Sequence, residues 1–333
     1  MEMFSVRRRC SLNIDKRQNR PFVEITANGS NIPLTGENWL ERWCSLPISE
    51  EYFKRLYEFE VKEDDLYVVT FPKCGTTWIQ EACWLLVNNL NFAKANAEDL
   101  PFRSVFMDLS ALYTNIPKNT IDLAEQAASP RVLKSHLPAH LIPKQIWQKK
   151  SKIVYCARNP KDMVVSYFHF HRGLGTWQGD INEFVEDLIN NDIMYCPYWE
   201  HIMDFWRMRQ EQNIFFTTYE DMKRDLRSVL IQLNRFLERP ELSEEQLQQL
   251  EKHLSFEQMK ANKRVNPTFN IKSGHGSPNV RADFEFMRRG VVGSHKDELT
   301  PEIQKKLDHW IAEHLKKFNI KLEDIFGTIL NDE

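Results

Sequence analysis

Four short stretches of the chain are almost continuously apolar, and segments of a different pattern separate them. They cover residues 65–71, 131–134, 152–157 and 213–218. Strands buried on both faces of a parallel sheet have this composition, whereas strands with one solvent-facing side alternate apolar and polar residues. The pattern therefore predicts a parallel sheet built from these strands.

The segments between and after the strands repeat apolar residues at the spacing of an α-helix. Helices are predicted over residues 77–90, 160–171, 198–210, 222–237, 243–254 and 301–317. The second has a clear start signal, because Asn159 can cap it and Pro160 suits its first turn. Strands that alternate with helices indicate a doubly wound α/β fold. We expect a single domain over residues 36–330, with a central parallel sheet flanked by helices.

Residues 1–35 show no sustained periodicity. Their basic residues are Arg7, Arg8, Arg9, Lys16, Arg17 and Arg20. This stretch lacks the apolar core of a secretory signal. We expect a flexible basic N-terminal arm, whose role stays open.

Composition and charge exclude several classes of protein. The chain has 333 residues, and 44 Lys and Arg against 47 Asp and Glu leave a net charge of −3, which argues against a nucleic-acid partner. No stretch approaches the roughly 18 consecutive apolar residues of a membrane span, so we expect no membrane partner. The six cysteines lack CxxC spacing. Reduced thiols and a cytoplasmic location are expected.

The loop after the first predicted strand has the composition of an anion site. It reads PKCGTTW over residues 72–78 and leads into a predicted helix. Backbone N–H groups of such a loop converge, and the helix N-terminus adds partial positive charge. It is not a Walker A motif, because Lys73 precedes the glycine, and no predicted strand ends in an acid suited to Mg²⁺. A metal-free phosphate site is one interpretation, and an ordinary strand–helix turn is the other.

Charged side chains also follow the next two predicted strands. Lys134 ends the second strand and His136 follows it, while Arg158 follows the third. Since ligands of doubly wound sheets bind outside the carboxyl ends of the strands, these side chains should converge with Lys73. The Lys134 ammonium would lower the pKa of His136 and favour the neutral imidazole that a general base requires. Considered singly, a structural histidine is the commoner case.

Two further groups are candidates for ligand binding. Arg158 with Ser166, and Arg288 and Arg289 before Gly290, place cations and a hydroxyl where a phosphate could bind. The aromatic residues that mark either an apolar acceptor pocket or plain core are Phe102, Phe106 and Tyr113. No metal site is predicted, because the two histidines at 169 and 171 lack a partner at ligand spacing.

Five motifs, in this order, resemble those of the cytosolic sulfotransferase family. They are FPKCGTTW at 71–78, KSHLP at 134–138, YCARNPKD at 155–162 with Ser166 and Tyr167, YED at 219–221, and FMRRG at 286–290 with Gly293 and Lys296. The matching order and spacing extend from about residue 40 to 320, which is far more specific than a single glycine loop. Cys74 and the Asn159–Pro160 pair are more similar to invertebrate members than to mammalian ones.

The resemblance implies a P-loop-like phosphosulfate-binding loop, 3′-phosphoadenosine 5′-phosphosulfate (PAPS) as donor, adenosine 3′,5′-bisphosphate (PAP) as product, and no metal. The 5′-phosphosulfate would be held by Lys73, Cys74, Gly75, Thr76, Thr77 and Trp78. The 3′-phosphate would be held by Arg158, Ser166, Arg288, Arg289 and Gly290. The adenine would be held by Trp78, Tyr219, Ser255 and Phe256.

The resemblance also implies a division of catalytic roles. His136 would remove the proton of the acceptor hydroxyl, Lys73 would meet the bridging oxygen, and Lys134 would steady the sulfuryl oxygens. Ser166 would hold Lys73 away from the donor until the acceptor arrives. The acceptor is expected to be a small, mostly apolar hydroxyl compound such as a phenol, catecholamine, steroid or retinoid-like alcohol, held near Phe102, Phe106, Tyr113 and His136.

The family's dimerisation motif is degraded in this chain. The corresponding positions are Lys296, Thr300, Pro301 and Lys305, so the motif's Val and Glu are absent and the oligomeric state stays open. Two alternative functions remain: a dehydratase that sulfonates an alcohol such as retinol transiently, and a non-catalytic nucleotide-binding scaffold. The presence of Lys73, Lys134, His136 and Ser166 argues against the scaffold. A kinase, which would need Mg²⁺ and ATP, fits less well.

Overall fold

The computed structural model describes residues 4–8, 22–112, 118–275 and 279–327. Its strands form two sheets, one of β1 (Phe4–Arg8), β2 (Val23–Ala27) and β3 (Cys44–Leu46), and one of β4 (Leu66–Val69), β5 (Val132–Ser135), β6 (Lys152–Ala157) and β7 (Ile214–Thr218). The α-helices of the described residues are α1 (Glu50–Tyr57), α2 (Thr76–Val87), α3 (Phe92–Ala97), α4 (Leu100–Arg103), α5 (Leu109–Leu112), α6 (Thr120–Gln126), α7 (Gln145–Lys149), α8 (Pro160–Gly173), α9 (Ile181–Ile189), α10 (Tyr198–Arg207), α11 (Tyr219–Arg224), α12 (Leu226–Phe236), α13 (Glu244–His253), α14 (Phe256–Ala261), α15 (Thr268–Asn270), α16 (Pro301–Phe318) and α17 (Leu322–Phe326). Short 3-10 turns cover Trp39–Glu41 and Ser294–Asp297, and a π-helical turn covers Ile271–His275.

The second sheet is parallel throughout, in the order β5-β4-β6-β7. In its register, Val68 of β4 lies opposite Lys134 of β5 on one side and Val154 of β6 on the other. The predicted α/β fold, with a central parallel sheet flanked by helices, is confirmed.

Both faces of this sheet are buried. Tyr67 and Val69 belong to one hydrophobic cluster, and Leu66 and Val68 belong to a second one. All four side chains are at most 3% exposed. Because helices cover both faces, the strand has no polar side, which is why its sequence is continuously apolar.

The strand order places a crevice between β4 and β6. The chain leaves β4 for β5 on one side of the sheet, and it leaves β6 for β7 on the other side. Loops that depart in opposite directions from adjacent parallel strands open a cleft at their carboxyl ends. The loop that starts at Thr70 and the residue Arg158 therefore border the same cleft.

Most predicted helices agree with the structure to within a few residues, but the helix predicted over 222–237 is divided. It is two helices, α11 and α12, which meet at Asp225. Asp225 has φ −151° and ψ 78°, and its side chain accepts a hydrogen bond from the Ser228 N–H at 2.9 Å. An aspartate that caps the second helix in this way ends the first, a choice that the apolar spacing alone does not reveal.

The expected N-terminal arm is partly strand. β1 pairs antiparallel with β2, and β2 pairs with β3. Ile25 and Ala27 are fully buried, and the Phe4 ring packs on Phe53 of α1 at a centroid distance of 5.0 Å. The strands of the central sheet were predicted from continuous apolar runs, whereas β1 and β2 carry polar residues between their apolar ones, which explains the difference at residues 4–8 and 23–27. Residues 1–3 and 9–21 of the expected arm lie outside the described part of the chain.

Within the described ranges, no helix is long and apolar enough to cross a membrane. The cysteines described there are all buried free thiols, namely Cys44, Cys74, Cys83, Cys156 and Cys196.

Candidate active site

The loop between β4 and α2 turns sharply at two residues. Lys73 has φ 65° and Gly75 has φ 88°, both in the left-handed region. A Cβ at Gly75 would lie 2.9 Å from Cδ2 of Tyr219, so no side chain fits there. Gly75 is also the N-cap of α2, whose first N–H groups therefore begin at this turn. Free backbone donors and a helix N-terminus together form the geometry that binds an anion.

The small side chains of the loop point inward. Thr76 Oγ1 lies 2.6 Å from Thr70 Oγ1. Cys74 is fully buried, and burial raises the pKa of its thiol. These side chains hold the loop in place, so the expected contribution of Cys74 to donor binding is limited to its backbone.

The Lys73 side chain lies between two aromatic rings. Its Nζ is 4.6 Å from the Phe170 centroid and 4.1 Å from the Phe286 centroid, and it donates to the Phe286 carbonyl at 3.4 Å. Ser166, which we expected to hold Lys73, is half-buried on α8. In the described part of the chain, the hydrogen-bond acceptor of Lys73 Nζ is the Phe286 carbonyl and not Ser166.

Several cations share the site with Lys73. Burial, followed by the positive charges of Arg158, Lys134 and Arg288, lowers the pKa of Lys73 to about 7. Burial also lowers the pKa of Lys134 to about 8, against the opposing effect of the Asp108 carboxylate. The repulsion that Arg158, Lys134 and Arg288 exert on Lys73 places these cations close together, and an anionic ligand would relieve it.

The ring of His136 is held in one tautomer. Its Nδ1 lies 2.8 Å from the Thr70 carbonyl oxygen. Because a carbonyl oxygen only accepts, Nδ1 carries the proton, and Nε2 of the neutral ring is left as an acceptor. Burial and the neighbouring positive charge of Lys134 lower the pKa of His136 well below its ordinary value, so the ring is neutral near pH 7.

Aromatic rings surround His136 on the acceptor side. Phe106 and Tyr195 lie 5.0 Å and 5.6 Å from the His136 ring, both edge to face. Lys134 Nζ lies 3.9 Å from the Phe106 centroid. The site therefore joins an apolar wall, a neutral base and a cation.

Of the other two residues expected in the acceptor pocket, Phe102 points to the surface and Tyr113 cannot be compared. Phe102 lies on the surface with 59% of its area exposed, because the short helix α4 turns Leu100 and Arg103 inward instead. Tyr113 lies outside the described residues.

Arg158 lies between the loop of residues 72–78, which we call the phosphate loop, and the loop of residues 286–293, which we call the late loop. Its Nη1 donates to the Lys73 carbonyl at 3.2 Å, and its Nη2 donates to the Val291 carbonyl at 3.3 Å. Among the described residues, buried Nε of Arg158 and buried Nε1 of Trp78 have no hydrogen-bond partner. Unpaired buried donors beside an anion-binding loop fit a nucleotide with phosphate groups.

Arg288 and Arg289 are held by carboxylates. Nη1 of Arg288 donates to Glu298 Oε1 at 2.6 Å, and Nη1 of Arg289 donates to the same oxygen at 3.3 Å. Arg289 also pairs with Asp297 at 2.7 Å, and His169 contacts the second oxygen of Glu298. Burial raises the pKa of Glu298. The hydrogen bonds from His169 and Arg288 outweigh this effect and keep the pKa below its ordinary value.

The residues expected at the adenine are grouped around the phosphate loop and the late loop. The Trp78 and Tyr219 rings lie 5.6 Å apart, edge to face. Gly290 has φ 69°, and a Cβ there would lie 2.3 Å from Cδ2 of Phe256, so that ring covers the glycine. Ser255 caps α14 with its hydroxyl. These contacts place aromatic rings and a glycine backbone next to the phosphate loop.

Sequence motifs did not reveal three of the residues that support this site. The Asp108 carboxylate accepts from the His136 N–H at 2.7 Å, and Tyr195 and His201 also contact the His136 region. Asp108, Tyr195 and His201 are buried and far from His136 in sequence. Their only sequence signal is a polar residue in an apolar context, which is too common to be specific.

The comparisons with known proteins agree with this geometry. The family model described as "Sulfotransferase domain" matches residues 63–319. The chain belongs to the sulfotransferase family. It is a PAPS-dependent transferase, as the family motifs and the convergent cations of the site indicate. A second model, described as "Vacuolar protein sorting-associated protein 62", matches residues 11–105, less than a third of the chain, and overlaps the first.

Relatives of this sulfotransferase cover most of its length. Luciferin sulfotransferase of Photinus pyralis is 34% identical over 297 residues, which is 84% of this chain and 80% of that protein. Sulfotransferase 1E1 of Bos taurus is 35% identical over 278 residues, 81% of this chain and 90% of that protein. The similarity to an insect protein agrees with the invertebrate features of the loop and the Asn159–Pro160 pair.

A solved structure matches the fold of this sulfotransferase over nearly its whole length. Retinol dehydratase in complex with androsterone and the inactive cofactor PAP has a TM-score of 0.79 and 25% identity. The match covers 96% of this chain and 98% of that one. The same protein in a complex with retinol and PAP gives the same values.

The lowered lysine pKa values predict a loss of donor capture at alkaline pH. An ammonium is charged below its pKa, so the charges on Lys73 and Lys134 are lost as the pH rises through about 7 and about 8. Since kcat/KM reports the free enzyme, kcat/KM for PAPS is expected to fall across this range. A bound anion raises both pKa values, so kcat at saturating PAPS should fall at higher pH. A kcat/KM that stays flat to about pH 9 would contradict the shifts.

Glu298 is expected to oppose donor binding. In Glu298→Gln, the negative charge that faces Arg288 and Arg289 is removed. Arg288 then becomes free to pair with the 3′-phosphate, while Arg289 keeps its ion pair with Asp297. We expect PAP to bind roughly 5- to 10-fold more tightly in a calorimetric titration, the effect of about 1 kcal/mol. Glu313→Gln, an exposed residue of α16, is the matched control. Unchanged or weaker binding in Glu298→Gln would show that Arg288 does not meet the nucleotide.

Proposed function

We propose that this sulfotransferase moves the sulfuryl group of PAPS to the hydroxyl of a small, mostly apolar acceptor, with His136 as the general base. The observation that carries the proposal is the hydrogen bond between His136 Nδ1 and the Thr70 carbonyl. It leaves Nε2 as a neutral acceptor beside Phe106, within the field of Lys134 and Lys73. A base, two cations and an apolar wall are what transfer to an alcohol requires.

The bound donor supplies a sulfuryl group attached to a phosphate leaving group. In the proposed in-line transfer, His136 Nε2 takes the proton of the acceptor hydroxyl as its oxygen attacks. Lys73 meets the negative charge that develops on the bridging oxygen, and Lys134 neutralises the sulfuryl oxygens. Both lysines are preorganised against aromatic rings, so little reorganisation is needed as charge develops.

The proposed nucleotide assignment is the one that the resemblance to the family implies. The 5′-phosphosulfate is assigned to the 73–78 loop, where α2 begins after its N-cap, Gly75. The 3′-phosphate is assigned to Arg158, Ser166, Arg288, Arg289 and Gly290. The adenine is assigned to Trp78, Tyr219, Ser255 and Phe256. The unpaired Nε of Arg158 and Nε1 of Trp78 support this assignment. The proposal includes a metal-free donor site and a cytoplasmic location.

The acceptor class is inferred from the lining and from the relatives. Phe106, Tyr195, Phe170 and Phe286 form aromatic surfaces around His136 and Lys73. Such a lining selects flat or ring-shaped alcohols by shape and discriminates weakly between neighbours in a series. Phenols, catecholamines, steroids and retinoid-like alcohols are therefore the proposed acceptors.

A dehydratase that sulfonates its alcohol transiently is the second candidate. The similarity to retinol dehydratase favours it, because the match covers 96% of this chain, including most of the N-terminal region. In that case the sulfate ester would leave again, and the product would be the alcohol minus water.

The mass of the product distinguishes the two candidates. The full chain is incubated with PAPS and, in turn, para-nitrophenol, dopamine, androsterone and retinol, and the products are weighed by mass spectrometry. We expect at least one acceptor to gain a sulfonate as PAP forms. Loss of water from retinol would favour the dehydratase. PAP formation without any modified acceptor across the panel would contradict the proposed acceptor class.

A further inference from the structure

The backbone of His136 is held from both sides. Its N–H donates to Asp108 Oδ2 at 2.7 Å, and its carbonyl accepts from His201 Nε2 at 3.0 Å. Asp108 is 2% exposed and His201 is fully buried. We propose that Asp108 and His201 are positioning residues that hold His136 in the orientation that base catalysis requires. The proposal rests on the base role of His136 proposed above.

Asp108 joins three neighbours of the base. Its Oδ1 accepts from Ser135 Oγ at 2.8 Å, and its Oδ2 also accepts from the Tyr195 hydroxyl at 3.3 Å. Ser135 Oγ in turn accepts from the Leu137 N–H at 3.1 Å. One carboxylate therefore fixes the residues before and after His136, and it fixes the tyrosine whose ring lies against the imidazole.

His201 holds the carbonyl of His136 through a series of hydrogen bonds whose donors and acceptors can be assigned. Because the His136 carbonyl only accepts, Nε2 of His201 must carry the proton. Nδ1 is then an acceptor, and the Tyr155 hydroxyl donates to it at 2.8 Å. Burial lowers the pKa of His201 to about 4, so the ring is neutral and keeps this tautomer near pH 7. This series of hydrogen bonds ends at Tyr155, which is fully buried on β6.

These contacts leave His136 no free polar group on its backbone. With the ring contact to the Thr70 carbonyl, the residue is bound at its N–H, its carbonyl and Nδ1, and Nε2 faces the acceptor side. A displacement of about 1 Å at a reacting group can cost roughly 10²-fold in rate. Loss of either holding residue should therefore affect turnover far more than nucleotide binding.

Asp108 has a second, measurable effect. Its negative charge raises the pKa of Lys134 against the effect of burial. In Asp108→Asn the oxygen that accepts from the His136 N–H can be retained, but the charge is lost. We expect the alkaline limb of the kcat profile to move to lower pH, because Lys134 then deprotonates earlier. A residue with only a structural role would not move this limb.

The test uses the full chain with PAPS and the acceptor of highest turnover from the panel above. His201→Leu should lower kcat by about 10- to 100-fold, with the Kd of PAP changed by less than about twofold. His201→Gln should recover most of the loss, because its amide nitrogen can donate to the His136 carbonyl. The retained PAP binding shows that a variant is folded.

The chain offers a matched control for the buried histidine. His140 is 4% exposed, and its Nε2 donates to the Arg42 carbonyl at 2.9 Å, not to His136. His140→Leu removes the same kind of hydrogen bond and should leave kcat unchanged. An equal loss in both leucine variants would overturn the specific role of His201.

A double-substitution cycle separates this proposal from the base role. In a His136→Ala background, His201→Leu should change the residual turnover by less than about twofold, because it acts through His136. If His201→Leu lowers the residual turnover of His136→Ala by about a further 10- to 100-fold, the positioning role is overturned. Normal turnover in His201→Leu and in Asp108→Ala, which removes the oxygen that accepts from the His136 N–H, would overturn the positioning role and leave the base intact if His136→Ala is inactive. Normal turnover in His136→Ala would overturn the base role and the positioning role with it.

Discussion

Replacing His136 by alanine is expected to lower turnover by about 10²- to 10⁴-fold, the range of a positioned general base. The ring is neutral and held by the Thr70 carbonyl, so Nε2 is available as the proton acceptor. The nucleotide is assigned to the phosphate loop, Arg158 and the late loop. PAP should therefore still bind with near-normal affinity. Steady-state turnover with PAPS and calorimetric titration of PAP measure the two properties separately.

His140→Leu is also the control for this experiment, because His140 follows in the same segment and donates to a carbonyl away from the base. It should keep full turnover. Loss of both turnover and PAP binding in His136→Ala would contradict the assignment, since it would make His136 part of the nucleotide site or of the fold.

Replacing Arg158 by methionine is expected to weaken PAP binding by roughly 10²-fold, the usual consequence of removing one partner of a buried charge pair. Arg158 reaches the Lys73 and Val291 carbonyls, and its Nε is a buried donor without a partner among the described residues. Its positive charge also acts on Lys73. The substitution therefore removes a phosphate donor and loosens the loop that cradles the other phosphate.

Arg227→Met is the control for Arg158→Met. Arg227 lies on α12 and pairs with Glu244 at the surface, and its loss should leave the Kd of PAP unchanged. Binding in Arg158→Met within about threefold of the unchanged chain would contradict the placement of a phosphate at Arg158.

The central sheet could be predicted from sequence because both of its faces are buried. The four strands read as apolar runs, and their alternation with helices gave the parallel arrangement. The sequence pattern did not predict element boundaries that depend on a single residue. Asp225 caps α12 and thereby divides one apolar pattern into two helices. β1 and β2 carry polar residues between their apolar ones, so neither is a continuous apolar run.

The charged part of the site could also be predicted, because strand ends gather in one place. The charges of Arg158 and Lys134 lower the pKa of Lys73, and the charges of Lys134 and Lys73 lower the pKa of His136, which requires these side chains to be close. Asp108 and His201 could not be predicted. They lie 28 and 65 residues from His136 along the chain, and only the folded structure shows that they hold its backbone.

The acceptor wall was predicted less well than the cations. Phe106 lies against His136, whereas Phe102 is exposed although it is only four residues away. The apolar character of this stretch does not indicate which aromatic side chain turns inward. That choice depends on α4, a helix of four residues in which Leu100 is buried and Arg103 pairs with Glu81 of α2.

Calorimetric titration of PAP into the full chain, beside ATP with and without Mg²⁺, tests the central claim most directly. The cation arrangement around the phosphate loop predicts that PAP binds without any metal and that ATP gives little response. A preference for ATP in the presence of Mg²⁺ would contradict the assignment of this site to a phosphosulfate donor.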